Sequence, residues 1–107
     1  MSFLYNQDNL QHEMMNPISS EFVNILKLHG VNPDTIKEIA VIDNLSIIKI
    51  SNRLYSTYAL SSGYSGGGPA ALFELLKWCS CNNSKIYDII GREKRVHFNR
   101  AEKKLAG

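Results

Sequence analysis

The sequence has little of what usually gives chemistry away. It holds two cysteines, Cys79 and Cys81, one residue apart, and three scattered histidines. Cysteines so spaced at a helix end are poorly set for a disulfide, and the set falls short of the ligand spacing that zinc requires. No metal and no cofactor is expected. The one glycine-rich stretch is followed by Pro69-Ala70-Ala71 instead of the Gly-Lys-Ser/Thr of a Walker loop. Gly63-Tyr64-Ser65-Gly66 is one spacer residue short of a nucleophile elbow. The ten acidic residues are dispersed, so no carboxylate pair stands out for acid–base work. No apolar run approaches a membrane span. Met1 to Asn6 lacks the basic region of a secretory leader, and with so few cysteines a cytoplasmic protein is expected.

Charge of one sign is scarce too. The net charge is +2, too small to argue for nucleic acid by itself. Its distribution is less even: from Gly91 onward six Lys/Arg face two acids, a net +4, which leaves −2 for the rest. A basic tail on a slightly acidic body suits an acidic surface or a phosphate backbone.

What is present describes a folded domain. The chain has 107 residues, of which 44% are hydrophobic and 21% charged, the balance of one globular unit. Its organising stretch runs from Ser61 to Trp78. Gly66, Gly67 and Gly68 give the backbone freedom and close approach, and Pro69 suits the first helical position with Gly68 as N-cap. Leu72, Leu75, Leu76 and Cys79 then repeat at i, i+3, i+4 and i+7, one buried helical stripe widened by Ala71, Phe73 and Trp78. A glycine loop before a helix start is a candidate anion site at Gly66, Gly67 and Gly68. Against it stands a plain strand-to-helix crossing, which is the commoner use of such a loop.

An earlier helix is expected from Asn16-Pro17, a cap and first-turn pair, with Ile18, Phe22, Ile25 and Leu26 on its stripe and Gly30 as its αL stop. Residues 1–15 form an N-terminal arm in which Leu10 and Met14, at i and i+4, allow a short helix. The period then changes. Ile36 to Ile42, Leu45 to Ile50 and Arg53 to Leu60 read as an antiparallel meander turning at Asp43-Asn44 and Ser51-Asn52. Ile86 to Ile90 alternates as a fourth strand and Arg95 to Phe98 as a fifth, with Val96 and Phe98 inward. Residues 99–107 form a basic tail, as a short helix or a frayed end. The fold class is α+β: two main helices on one face of an antiparallel sheet of about five strands, in the order α-β-β-β-α-β-β, with the domain proper at 16–98.

Three function classes remain. Cysteine or histidine catalysis lacks a placed partner for Cys79, Cys81 or His97. A nucleic-acid module would use the basic hairpin, where Tyr87, Arg92, Lys94, Arg95, His97, Phe98 and Arg100 interleave cations with aromatics, but the ribonucleoprotein motif is absent. A protein-binding protein accounts most directly for a missing chemical signature. Small Asn-, Ile-, Ser- and Lys-rich α+β chains are common among bacterial immunity proteins, antitoxins and phage inhibitors, an association of class alone. Such proteins act by steric occlusion through aromatic and arginine contacts. The expected contacts are Tyr55, Tyr58 and Tyr64 from the sheet and loop, with Arg92 and Arg95 from the hairpin. The expected partner is a protein such as a toxin or an enzyme.

Overall fold

The helical stripe around Leu72 settles against one face of an antiparallel sheet. The computed structural model describes residues 7–15, 17–81, 83–101 and 104–106. Expectations for Phe3 to Tyr5, the Asn16 cap and Lys103 concern residues outside these. Within them the chain runs α1 (Gln7–Met15), α2 (Phe22–Leu28), β1 (Ile36–Ile42), β2 (Leu45–Ile50), β3 (Arg53–Thr57), α3 (Gly67–Trp78), α4 (Ile86–Arg92), β4 (Arg95–Asn99) and β5 (Lys104–Ala106). The sheet order is β3-β2-β1-β4-β5, with every neighbouring pair antiparallel. The fold is α+β, as the alternation of periods implies.

Both hairpin turns fall where the sequence puts them. Ile42 pairs with Leu45 and Ile50 with Arg53, so Asp43-Asn44 and Ser51-Asn52 are two-residue connections. Asp43 and Ser51 take the positive φ, at 57° and 54°, that a tight hairpin demands and glycine would supply more cheaply. Side chains then alternate across the sheet. Ile39, Val41, Ile48, Ile50, Val96 and Phe98 point into the core with Leu72, Leu75 and Leu76 of α3. Each fully buried leucine contributes about 1.5–3 kcal/mol. Arg95 and His97 face outward, as read from the alternation.

Both long-stripe helices end in Schellman motifs. After α2, Gly30 N–H donates to Lys27 O and Val31 N–H to Leu26 O, with Gly30 at φ +74°. After α3, Ser80 N–H donates to Lys77 O and Cys81 N–H to Leu76 O, and the non-glycine Ser80 takes φ +61°.

Three expectations are corrected. The first helix does not begin at Pro17: Ile18 is extended, its carbonyl accepts from Glu21 N–H, and a 3₁₀ turn at Ser19–Glu21 leads into α2. Ile18 is therefore exposed instead of sharing the stripe. Residues 86–90 are helical, not a strand. Ile86 and Ile90 fit i, i+4 as well as they fit alternation, and packing against α3 decides for the helix. The Asn83 side chain accepts from Lys85 N–H and its carbonyl from Ile86 N–H, which starts that turn. The tail does not fray throughout: Lys104–Ala106 pairs with β4, and Leu105 is buried. The helix α1 is the short helix that Leu10 and Met14 allow in the arm, so α4 is the one helix added to those expected.

The arm is tied to the sheet edge. The Gln11 side-chain amide donates to Ser56 O at 3.1 Å and accepts from Ser56 N–H at 3.0 Å. It thus satisfies the outward backbone groups of β3 as a neighbouring strand would, which protects an edge. Leu10 and Met14 are fully buried, and the Glu13 carboxylate pairs with His29 Nε2 beyond α2.

Candidate functional site

The crossing from β3 to α3 is packed residue by residue. Thr57 Oγ1 accepts from Ala59 N–H at 3.0 Å, and Ser46 Oγ donates to Leu60 O at 3.1 Å. Ser61 and Ser62 follow, both buried. Gly63 takes φ +89° and donates to Ile90 O at 2.7 Å, which fastens the loop to α4. The Ser61 and Tyr64 hydroxyls bond at 2.7 Å. A Cβ at Gly68 would collide with Ser61 Oγ, and one at Gly66 would lie 2.9 Å from the Tyr64 ring. Of the three glycines expected to bind an anion, Gly66 and Gly68 thus have steric reasons of their own, while a Cβ at Gly67 would meet only ordinary contact. The helix also starts earlier than expected: Gly66 is the N-cap and Gly67 the first residue. Pro69 sits third, where its N–H would still lack an acceptor within the helix.

This loop forms one wall of a cleft of about 180 Å³. Tyr64, Ser65 and Gly66 line it from the loop, Pro69, Ala70 and Phe73 from α3, and Tyr87, Ile90 and Gly91 from α4. The Phe73 and Tyr87 rings meet at 4.6 Å between centroids with a 47° tilt, within the range of favourable aromatic pairs. Tyr64 and Tyr87 remain 52% and 73% exposed, so the aromatic lining opens at the surface. Arg92 and Lys94 are exposed beyond Gly91, Lys77 lies one turn past Phe73, and Glu74 and Asp88 stand on the same two helices.

A second surface is the outer face of the sheet. Ile42, Leu45, Ile47 and Leu54 are exposed there. His97 Nε2 lies 3.2 Å from the Glu38 carboxylate on the same face, and Arg95 stands opposite Ile42 across the strand pair.

The predicted contacts are therefore divided. Tyr64 and Arg92 fall beside the cleft. Arg95 belongs to the outer sheet face, and Tyr58, 49% exposed, follows β3 with its N–H bonded to Met15 O. Tyr55 is corrected: it points into the core at 2% exposure and is not presented to a partner. Arg92 ends a helix and is not in the turn of a hairpin. Phe73 is the contact missed, and Tyr87 is expected only on a nucleic-acid surface. The local periods place Phe73 on the buried stripe of α3 and Tyr87 on a strand, and their meeting depends on α4 being helical.

The remaining candidate groups have structural work. Arg100 donates from Nε to Ile36 O at 2.8 Å and from Nη2 to Pro33 O at 2.7 Å, which removes it from the basic surface. Burial pushes the Cys79 thiol up to about 11, against the lowering influence of Arg100. It stays a protonated, unreactive thiol at neutral pH. No cluster of three or more potential metal ligands occurs among the described residues, and no helix among them is long and apolar enough to cross a membrane. Comparison with family models, with curated proteins and with solved structures returns no match.

Proposed function

We propose that this chain is a non-enzymatic protein-binding protein of the bacterial or phage immunity and inhibitor type, acting in the cytoplasm. It neutralises a partner, such as a toxin or an enzyme, by covering its working surface. The observation that carries this reading is the aromatic cleft, where Tyr64 and Tyr87 stay more than half exposed although Phe73, Pro69 and Ile90 give them an apolar bed. Aromatic groups with a neighbouring arginine, set in a polar rim, are the usual composition of a binding hot spot.

The test is a capture experiment on the full chain with nuclease-treated lysate of the source cell, run beside Tyr64→Ala and Tyr87→Ala. The expected result is one stoichiometric protein retained by the wild type and lost by both variants, with that protein's activity falling when the wild-type chain is added. Capture of nucleic acid instead, weakening steeply with salt as counterions are released, would replace this reading with that of a DNA- or RNA-binding module working through Arg92, Lys94 and Arg95.

A further inference from the structure

We propose that α1 is a detachable strap: it leaves the β3 edge as one unit, turning about Pro17-Ile18, while the rest of the fold stays closed. This holds whether or not the chain binds a protein.

A helix of this length does not stand alone. α1 has nine residues, fewer than the roughly 12–15 that an isolated helix needs in water, so it is helical only while docked. Its sequence supplies one apolar pair a turn apart for the core. Leu10 and Met14 are fully buried, whereas α3 buries Pro69, Ala71, Leu72, Leu75 and Leu76. The polar attachments end on Ser56, Tyr58 and His29. Gln11 bonds both backbone groups of Ser56, and Met15 O accepts from Tyr58 N–H at 3.1 Å. Glu13 pairs with His29 from a half-exposed position, and an ion pair open to water adds little. One short helix carries all of these contacts, so they are made and lost together.

The closed state also leaves a polar atom unsatisfied. His29 Nδ1 is buried with no hydrogen-bond partner among the described residues, while Nε2 is held by Glu13. Such an atom works against the state that buries it. With Glu13 gone, the ring is free to turn Nδ1 to water.

The chain after α1 is suited to bend. Between the buried Met14 and the buried Phe22, none of the described residues is buried. Ile18 is extended and 74% exposed, so no packed side chain fixes this link. Opening there uncovers the Ser56 N–H and C=O and the Tyr58 N–H. The β3 edge thereby alternates between a covered state and one whose backbone groups are free to pair.

Native-state hydrogen exchange read by NMR on the full chain, in urea below the unfolding transition, tests the strap. The amides of Gln11 to Met15, with those of Ser56 and Tyr58, are expected to share one opening constant, at least about 100-fold larger than that of the β1 amides. Its urea dependence is expected to be shallower than that of β1 but not zero, because a small surface is exposed. Leu10→Ala is expected to raise the shared constant at least about 30-fold, the effect of losing a buried leucine. Val96→Ala, on β4, is expected to raise the β1 constant and leave that of the strap unchanged, because the strap opens without disturbing β4. An opening constant and urea dependence common to α1 and β1 in the wild type would overturn the proposal, since α1 would then leave only in global unfolding. Exchange of Ser56 and Tyr58 with constants unrelated to those of α1 would overturn it too, since the helix would then fray piecemeal.

Discussion

Tyr64 and Ser61 share a hydrogen bond of 2.7 Å between their hydroxyls, and the same Ser61 Oγ fills the space where Gly68 would carry a side chain. One serine therefore fixes both ends of the turn that leads into α3. Tyr64→Phe removes the bond and is expected to lower stability by about 0.5–1.5 kcal/mol. Gly68→Ala forces a methyl into occupied space and is expected to cost about 1–3 kcal/mol. Because the methyl and Ser61 compete for one volume, Ser61→Gly should recover part of that loss. Urea unfolding of the single and double variants reads the coupling, and strict additivity would refute the shared-space account.

The two Schellman caps predict substitutions of opposite sign. Gly30 and Ser80 occupy equivalent positions at φ +74° and +61°, a region that disfavours residues with a Cβ. Gly30→Ala is expected to destabilise by about 1 kcal/mol, and Ser80→Gly to stabilise by about 0.5–1 kcal/mol. Thermal melts of the two variants suffice, and a loss on Ser80→Gly would contradict the assignment.

Two arginines near the C-terminal end should separate cleanly. Arg100 holds the Ile36 and Pro33 carbonyls, and hydrogen bonds from a charged donor are worth about 1.5–3 kcal/mol. Arg95 is exposed on the outer face. Arg100→Ala is therefore expected to lower the urea midpoint substantially, while Arg95→Ala stays within about 0.5 kcal/mol of wild type.

Cys79 makes stability depend on alkaline pH. Burial raises its thiol from 9.0 to about 11. Below pH 9 both folded and unfolded chains hold this proton, and the contribution is fully present. Between pH 9 and about 11 the unfolded chain releases a proton that the folded chain keeps, so stability falls as pH rises. Urea midpoints at pH 8, 10 and 11 should drop more steeply for wild type than for Cys79→Ala, because the alanine has no proton to release. Parallel slopes would show that Cys79 is not buried as described.

Much of the fold is legible in the sequence. The stripe at Leu72, Leu75 and Leu76, the inward Val96 and Phe98, the stop at Gly30 and the turns at Asp43-Asn44 and Ser51-Asn52 are all written in local periods and local backbone demands. The failures share a cause. Ile86, Ile89 and Ile90 satisfy a helical and a strand period at once, and β-branched residues lean toward the strand until Phe73 and the rest of α3 offer a face to pack on. Tyr55 and Tyr58 are three residues apart on one strand and its exit, yet one is buried and the other exposed. The alternation says that two faces differ, not which of them receives the helices. Of the contacts the sequence suggests, Tyr64 lines the cleft and Arg92 follows its Gly91. The pairing of Phe73 with Tyr87 is hidden by a strand period at 86–90 where the chain is helical.

The sequence by itself determined which segments repeat with helical or strand period, where they stop and which residues must turn, because those properties depend on neighbours within a few positions. The tertiary structure decided that β4 pairs with β1, that Gln11 closes the β3 edge, that Arg100 is taken by carbonyls more than sixty residues away, and that Tyr64, Phe73 and Tyr87 surround one cleft. These are contacts between distant parts of the chain. They follow from which apolar faces bury each other best, and that is a property of the packed whole and not of any single stretch.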